Sequence, residues 1–154
     1  MSETGTSSGA VDRFTPGVRD VIERAKASVM KYKHTHITPE HLLLGLVDSA
    51  DTAIQKGFTI ANATPAQVRV LVEHHLRGGE TVLKVEDLTF SERAKRVIET
   101  AREEAQRASR EQIAPEHLLL GLTRVRNTVA SAVLAAVDLK EDELRSAVNG
   151  QAKR

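Results

Sequence analysis

Ten consecutive residues, Ile37-Thr38-Pro39-Glu40-His41-Leu42-Leu43-Leu44-Gly45-Leu46, return 76 positions later as Ile113-Ala114-Pro115-Glu116-His117-Leu118-Leu119-Leu120-Gly121-Leu122. The same displacement carries Phe14-Thr15 onto Phe90-Ser91 and Val21-Ile22-Glu23 onto Val97-Ile98-Glu99. Two copies therefore run from about residue 14 to 72 and from 90 to 148 without a net insertion. A repeat this long and this well registered signals duplicated architecture, so a site carried by one copy should have a counterpart in the other.

Within each copy the hydrophobic pattern is helical. Val18, Val21, Ile22, Ala25, Val29 and Tyr32 recur at helix spacing, with Arg19, Asp20, Glu23, Arg24 and Lys26 between them. Ala94, Val97, Ile98, Ala101, Ala105 and Ala108 repeat the pattern after Ser91. The repeated decapeptide predicts a second helix: Thr38 suits the N-cap, Pro39 the first turn, and Glu40 the positive end of the peptide dipoles. Ala114 stands where the second copy would need that capping hydroxyl, a predicted loss of about 1 kcal/mol. Gly45 and Gly121 permit close helix approach. Short helices are expected at 52–56 and 128–136, and a last helix at 65–76 and 140–148, with Thr64 and Asp138 as caps.

Arg77-Gly78-Gly79-Glu80 breaks the fourth helix, and 81–88 reads as an extended connector with β-branched Thr81, Val82 and Val85, suited to one short strand. Each copy has only about 60 residues, and the whole chain has three Phe, one Tyr and no Trp, so the apolar face of one copy should be completed by the other. The expected fold is all-α: an eight-helix pseudo-twofold bundle of two four-helix repeats. The boundaries are a flexible leader at 1–12, repeat 1 at 13–76, a linker at 77–89, repeat 2 at 90–149 and a tail at 150–154.

Composition excludes several functions. With 154 residues there is no room for a separate catalytic domain. Basic and acidic side chains balance at 22 and 21, without a polybasic run, which argues against nucleic acid. No stretch reaches the roughly 20 apolar residues of a membrane span, and residues 1–13 do not resemble a signal peptide. With cysteine absent, neither disulfides nor thiolate metal sites are possible. A cytoplasmic, monomeric protein is expected. His34, His36, His41, His74, His75 and His117 lack the spacing of a zinc motif, and His41 and His117 suit a helix-start hydrogen bond better. No cofactor, metal or enzymatic activity is expected.

Phe14-Thr15 before an amphipathic helix, then Pro-Glu-His-Leu-Leu-Leu-Gly-Leu, then the same order after a glycine-containing linker, resembles the Clp N-terminal domain of the ClpC type. The resemblance covers about residues 13–149. It implies a module that sits in front of AAA+ ATPase rings, receives substrates and adaptor proteins, and in several members recognises phosphorylated arginine. The chain carries no Gly-x-x-x-x-Gly-Lys-Ser/Thr phosphate loop. Two readings stand: an excised receptor domain, or a free-standing homologue that sequesters cyclic peptide antibiotics or toxins and protects a full-length unfoldase.

The resemblance further implies one phosphoarginine pocket in each copy. Thr15 and Ser91, at helix starts, would take phosphate oxygens, with Arg13 adding charge to the first pocket. Glu40 and Glu116 match the position that holds the guanidinium, for which a carboxylate is the natural bidentate partner. The plainer alternative is that the hydroxyls cap helices and the carboxylates complement dipoles. Thr89 stands where the first copy has Arg13, and Gly17 is smaller than is usual in related chains. In actinobacterial relatives a groove between the first helices receives cyclic peptides; here it would draw on Val11, Arg19, Ile22, Glu23 and Lys26 beside Phe90, Lys95, Ile98 and Glu99, with Phe90 as the apolar anchor. Against it stands a core role for Ile22, Ile98 and Phe90.

Overall fold

Helix starts recur at the same offset as the sequence. In the computed structural model, which describes residues 13–49 and 51–152, the Thr15 hydroxyl accepts the Val18 N–H at 3.3 Å and the Ser91 hydroxyl accepts the Ala94 N–H at 3.1 Å. They open α1 (Pro16–Lys31) and α5 (Glu92–Arg107). The other helices are α2 (Pro39–Asp48), α3 (Thr52–Ile60) and α4 (Pro65–His75) in the first copy, and α6 (Pro115–Arg124), α7 (Val129–Ala136) and α8 (Glu141–Ala152) in the second. The all-α fold of two four-helix repeats is thus present. The expected leader lies outside the described residues.

Caps and terminators depart from expectation in three places. At the starts of α2 and α6 the cap comes from the third helical residue: His41 Nδ1 accepts the Thr38 N–H and His117 Nδ1 accepts the Ala114 N–H, each at 2.9 Å. Ala114 cannot repeat the contact of the Thr38 hydroxyl with His41 Nδ1 at 2.8 Å, but both imidazoles accept the backbone N–H of the residue that precedes the helix. Among the described residues Asp138 caps nothing downstream with its side chain. It adopts a left-handed conformation (φ 64°) and ends α7, as Asn62 (φ 60°) does after α3; Lys33 (φ 57°) and Ser109 (φ 59°) form the matching pair after α1 and α5. Helix α3 extends four residues past the expected 56, and α8 reaches Ala152, into the expected tail.

The core follows from the leucine runs. Leu42, Leu43, Leu44 and Leu46, with Leu118, Leu119, Leu120 and Leu122, are all at most 1% exposed, so α2 and α6 are covered on every side. Helix α2 packs on α1 and α6 on α5. A Cβ on Gly45 would lie 2.5 Å from the Val21 carbonyl oxygen and one on Gly121 2.6 Å from that of Val97, so only glycine allows these approaches. The copies then complete each other: α3 packs on α8, α4 on α7, and α2 meets α6.

Two short parallel bridges cross between copies. Thr15 N–H donates to the Ile113 carbonyl at 3.0 Å and Ile113 N–H to that of Arg13 at 2.7 Å; Ser91 N–H donates to Ile37 and Ile37 N–H to Thr89, both at 2.9 Å. These pairs are related by the 76-residue offset, which gives the bundle its pseudo-twofold. The linker forms no strand among the described residues. Its Gly79 and Thr81 N–H groups donate to the Tyr32 and Lys33 carbonyls at the end of α1, and Val85–Asp87 makes a single 3-10 turn.

Candidate functional site

The Phe14–Ile113 bridge carries the first copy's entry segment onto the second copy's α6. Arg13 and Thr15 consequently share a cleft of about 720 Å³ with Arg110, Gln112, Glu116 and His117. The expectation of one pocket inside each copy is corrected: Arg13 and Thr15 face Glu116, not Glu40. The Thr15 oxygen already accepts the Val18 N–H, which leaves its proton free to donate to an anion. Glu116 is half-buried, and burial pushes its carboxyl above the ordinary range; Asp51 pushes the same way, while its own backbone N–H and Arg110 oppose. His117, 2% exposed, is held neutral by burial, its pKa lowered to about 4, with Arg110 acting in the same direction. With its Nδ1 accepting from Ala114, its proton sits on Nε2. The cleft thus combines two guanidinium groups and the Thr15 and Ser109 hydroxyls, suited to an anion, with the Glu111 and Glu116 carboxylates, suited to a cation.

Glu40 occupies the equivalent place in a recess of about 430 Å³, walled by Leu76 and by the linker through Arg77, Gly79 and Thr81 and not lined by Ser91. His34 replaces Arg110 there. Because His41 Nδ1 accepts from Thr38, its Nε2 donates to His34 Nδ1 at 2.9 Å, and His34 Nε2 donates in turn to the Arg77 carbonyl. This relay fastens the linker to the start of α2. Ser91 caps α5 and bridges to Ile37.

A family model, the Clp repeat (R) N-terminal domain, matches residues 13–137 and 89–154. The chain belongs to this family. Among curated relatives of this Clp N-terminal domain, the ATP-binding subunit ClpC of Staphylococcus epidermidis is 32% identical over 136 residues, 88% of this chain and 16% of that protein; ClpC of Staphylococcus aureus is 33% identical over the same span. The chain therefore spans about one sixth of the length of these relatives. The N-terminal domain of the chaperone ClpD from Arabidopsis thaliana superposes with a TM-score of 0.70 at 27% identity, covering 92% of this chain and 96% of that one. The N-domain of ClpV from Vibrio cholerae, at 14% identity and a TM-score of 0.78, shares the fold.

Of the residues expected to line a groove between the first helices, the two isoleucines do not lie at the surface. Ile22 and Ile98 are buried at 9% and 8% exposure, because the faces of α1 and α5 that carry them turn into the core. Helices α1 and α5 take α2 and α6, not each other, as main partners. Phe90 is half-buried in its bridge to Ile37; Arg19, Glu23, Lys95 and Glu99 are exposed; Lys26 pairs with Glu23 at 3.4 Å. Val11 lies outside the described residues. No group of three or more His, Asp or Glu among the described residues is arranged to hold a metal ion.

Arg110, Ser109 and Gln112 line the cleft but were absent from the sequence-based set. The repeat itself held a clue: just upstream of the repeated decapeptides, which differ only at Thr38 and Ala114, Arg110 replaces His34 and Ser109 replaces Lys33.

Proposed function

We propose that this Clp N-terminal domain is a recognition module that binds substrates or adaptor proteins without catalysis, and that the cleft between its copies receives phosphorylated arginine. The observation that carries this reading is the juxtaposition of Arg13 and Thr15 from one copy with Glu116 from the other. A phosphoarginine side chain has an anion and a guanidinium a few bonds apart. Its phosphate would meet Arg13, Arg110 and the Thr15 hydroxyl, while its guanidinium would offer Glu116 the bidentate partner that offsets the cost of partial burial. Charge-assisted hydrogen bonds of roughly 1.5 to 3 kcal/mol each, less the cost of association, suit an affinity of order micromolar.

Calorimetric titration with free phosphoarginine tests the assignment. Glu116→Gln should weaken binding by about tenfold or more, the loss of one charged partner. Glu40→Gln, across the molecule, should leave it within about twofold. Equal affinity of wild type and Glu116→Gln would reject the cleft as the site.

A further inference from the structure

Beside the cleft, and sharing its Arg13 and Arg110 wall, a second recess of about 340 Å³ opens along α5 and the loop that follows it. Its floor is apolar: Ala105 and Ile113 are each 2% exposed. Three guanidinium groups, Arg13, Arg102 and Arg110, stand around it against one lining carboxylate, Glu111. Arg102 is held by Glu99, Nε to Oε2 at 3.1 Å, whereas Arg13 and Arg110 have no ion-pair partner among the described residues.

The duplication supplies an internal control. At the offset of 76, Arg102 corresponds to Lys26, Arg110 to His34 and Arg13 to Thr89. Of these only Lys26 carries a fixed charge, and it is paired with Glu23. The basic recess is therefore not a by-product of the helical frame, which both copies share. It occurs on the side where the cleft joins the copies.

We propose that this recess reads an acidic residue: it takes the side chain of an aspartate or glutamate flanking the residue seated in the cleft. This rests on the phosphoarginine reading of the cleft. The carboxylate meets Arg102 and Arg110 while its methylene groups lie on Ala105 and Ile113, an amphipathic fit for a short acidic side chain. Because the arginines are solvated, the gain is modest and salt-sensitive.

Short phosphoarginine peptides differing only in the flanking residue provide the test, with affinity read by fluorescence anisotropy. An Asp or Glu flank should bind about fivefold more tightly than Ala at low salt, and the gap should close as salt rises. Arg102 lines this recess and not the cleft. Arg102→Gln should thus abolish the preference and leave free phosphoarginine binding unchanged. Glu99→Gln, which releases Arg102, should enlarge the preference, and Lys26→Gln should not alter it. Equal binding of acidic and alanine-flanked peptides by wild type, or a preference that survives in folded Arg102→Gln, overturns the subsite alone. Failure of free phosphoarginine to bind removes the cleft reading, and the subsite with it.

Discussion

Around two identical Pro-Glu-His helix starts, the duplicated halves have built different surroundings. The Glu116 side opens onto Arg13, Thr15 and Arg110; the Glu40 side is walled by the linker and tied down by His34 and His41. What holds the helices in place is common to both: imidazole caps, left-handed terminators after the first and third helices, the Gly45 and Gly121 contacts, and the crossed bridges. Divergence is concentrated at the rim, where solvated side chains can change without disturbing the core. One exchange reaches deeper. Arg69 pairs with Asp48 and Glu73 in the first copy, whereas its counterpart Arg145 pairs at 2.7 Å with Glu104 and Glu141, because position 124 has become Arg and position 104 Glu where the first copy has Asp48 and Ser28. The arginine keeps a carboxylate partner in both, supplied from a different helix.

Acid should stress the shared frame most. His41 and His117 are buried and neutral, with pKa values lowered from 6.5 to about 4, chiefly by burial. Below about pH 6.5 the unfolded chain takes up a proton on each histidine while the folded chain does not until about pH 4. Stability is therefore complete above that window and lost as pH falls through it, by about 3 kcal/mol per histidine. Urea unfolding between pH 7 and 4 measures this, and His41→Gln and His117→Gln should each remove about half of the pH-dependent loss. Unequal halves would show that the two caps have diverged.

Glu104 breaks the symmetry next. It is 3% exposed and is approached by Arg124 at 2.8 Å and Arg145 at 2.7 Å. Together these hold its carboxyl below the ordinary range against the opposing effect of burial. Glu104→Ala should cost about 2 kcal/mol by removing the carboxylate that Arg124 and Arg145 share, which leaves them Glu103 and Glu141. Ser28→Ala, the equivalent change in the first copy, should cost less than about 0.5 kcal/mol. Equal costs in denaturant titrations would mean the network adds nothing to its copy.

The smallest effect concerns the cleft. Glu116 is raised above 4.5 in the folded protein, so its favourable contribution is present at acid pH and lost as pH rises through the folded value. Near neutrality its ionised carboxylate opposes folding. Glu116→Gln should accordingly raise the thermal midpoint at pH 7, and the gain should vanish at pH 4. A lower midpoint at pH 7 would show that the carboxylate has a structural partner.

Periodicity, the offset of 76 and the hydroxyls at Thr15, Thr64 and Ser91 announced the helices and their order, since these signals act within a few residues. Linker geometry was not legible, because the destination of the Gly79 and Thr81 N–H groups lies at the far end of α1. Asp138 was misread for a related reason: Asp suits both an N-cap and a left-handed terminator, and packing chose the second. The imidazole caps were half visible: position alone pointed His41 and His117 to a helix-start hydrogen bond, whereas its donor, the backbone N–H three residues earlier, is set by the folded turn.

Local chemistry along the chain was thus enough to specify a duplicated all-α architecture with glutamate at two helix starts. Which glutamate meets Arg13 and Thr15 was decided only when hydrogen bonds joined Phe14 to Ile113 and Ile37 to Phe90 across the copies. Such pairings form between residues about a hundred and about fifty positions apart, where neither hydrophobic period nor capping preference has any reach.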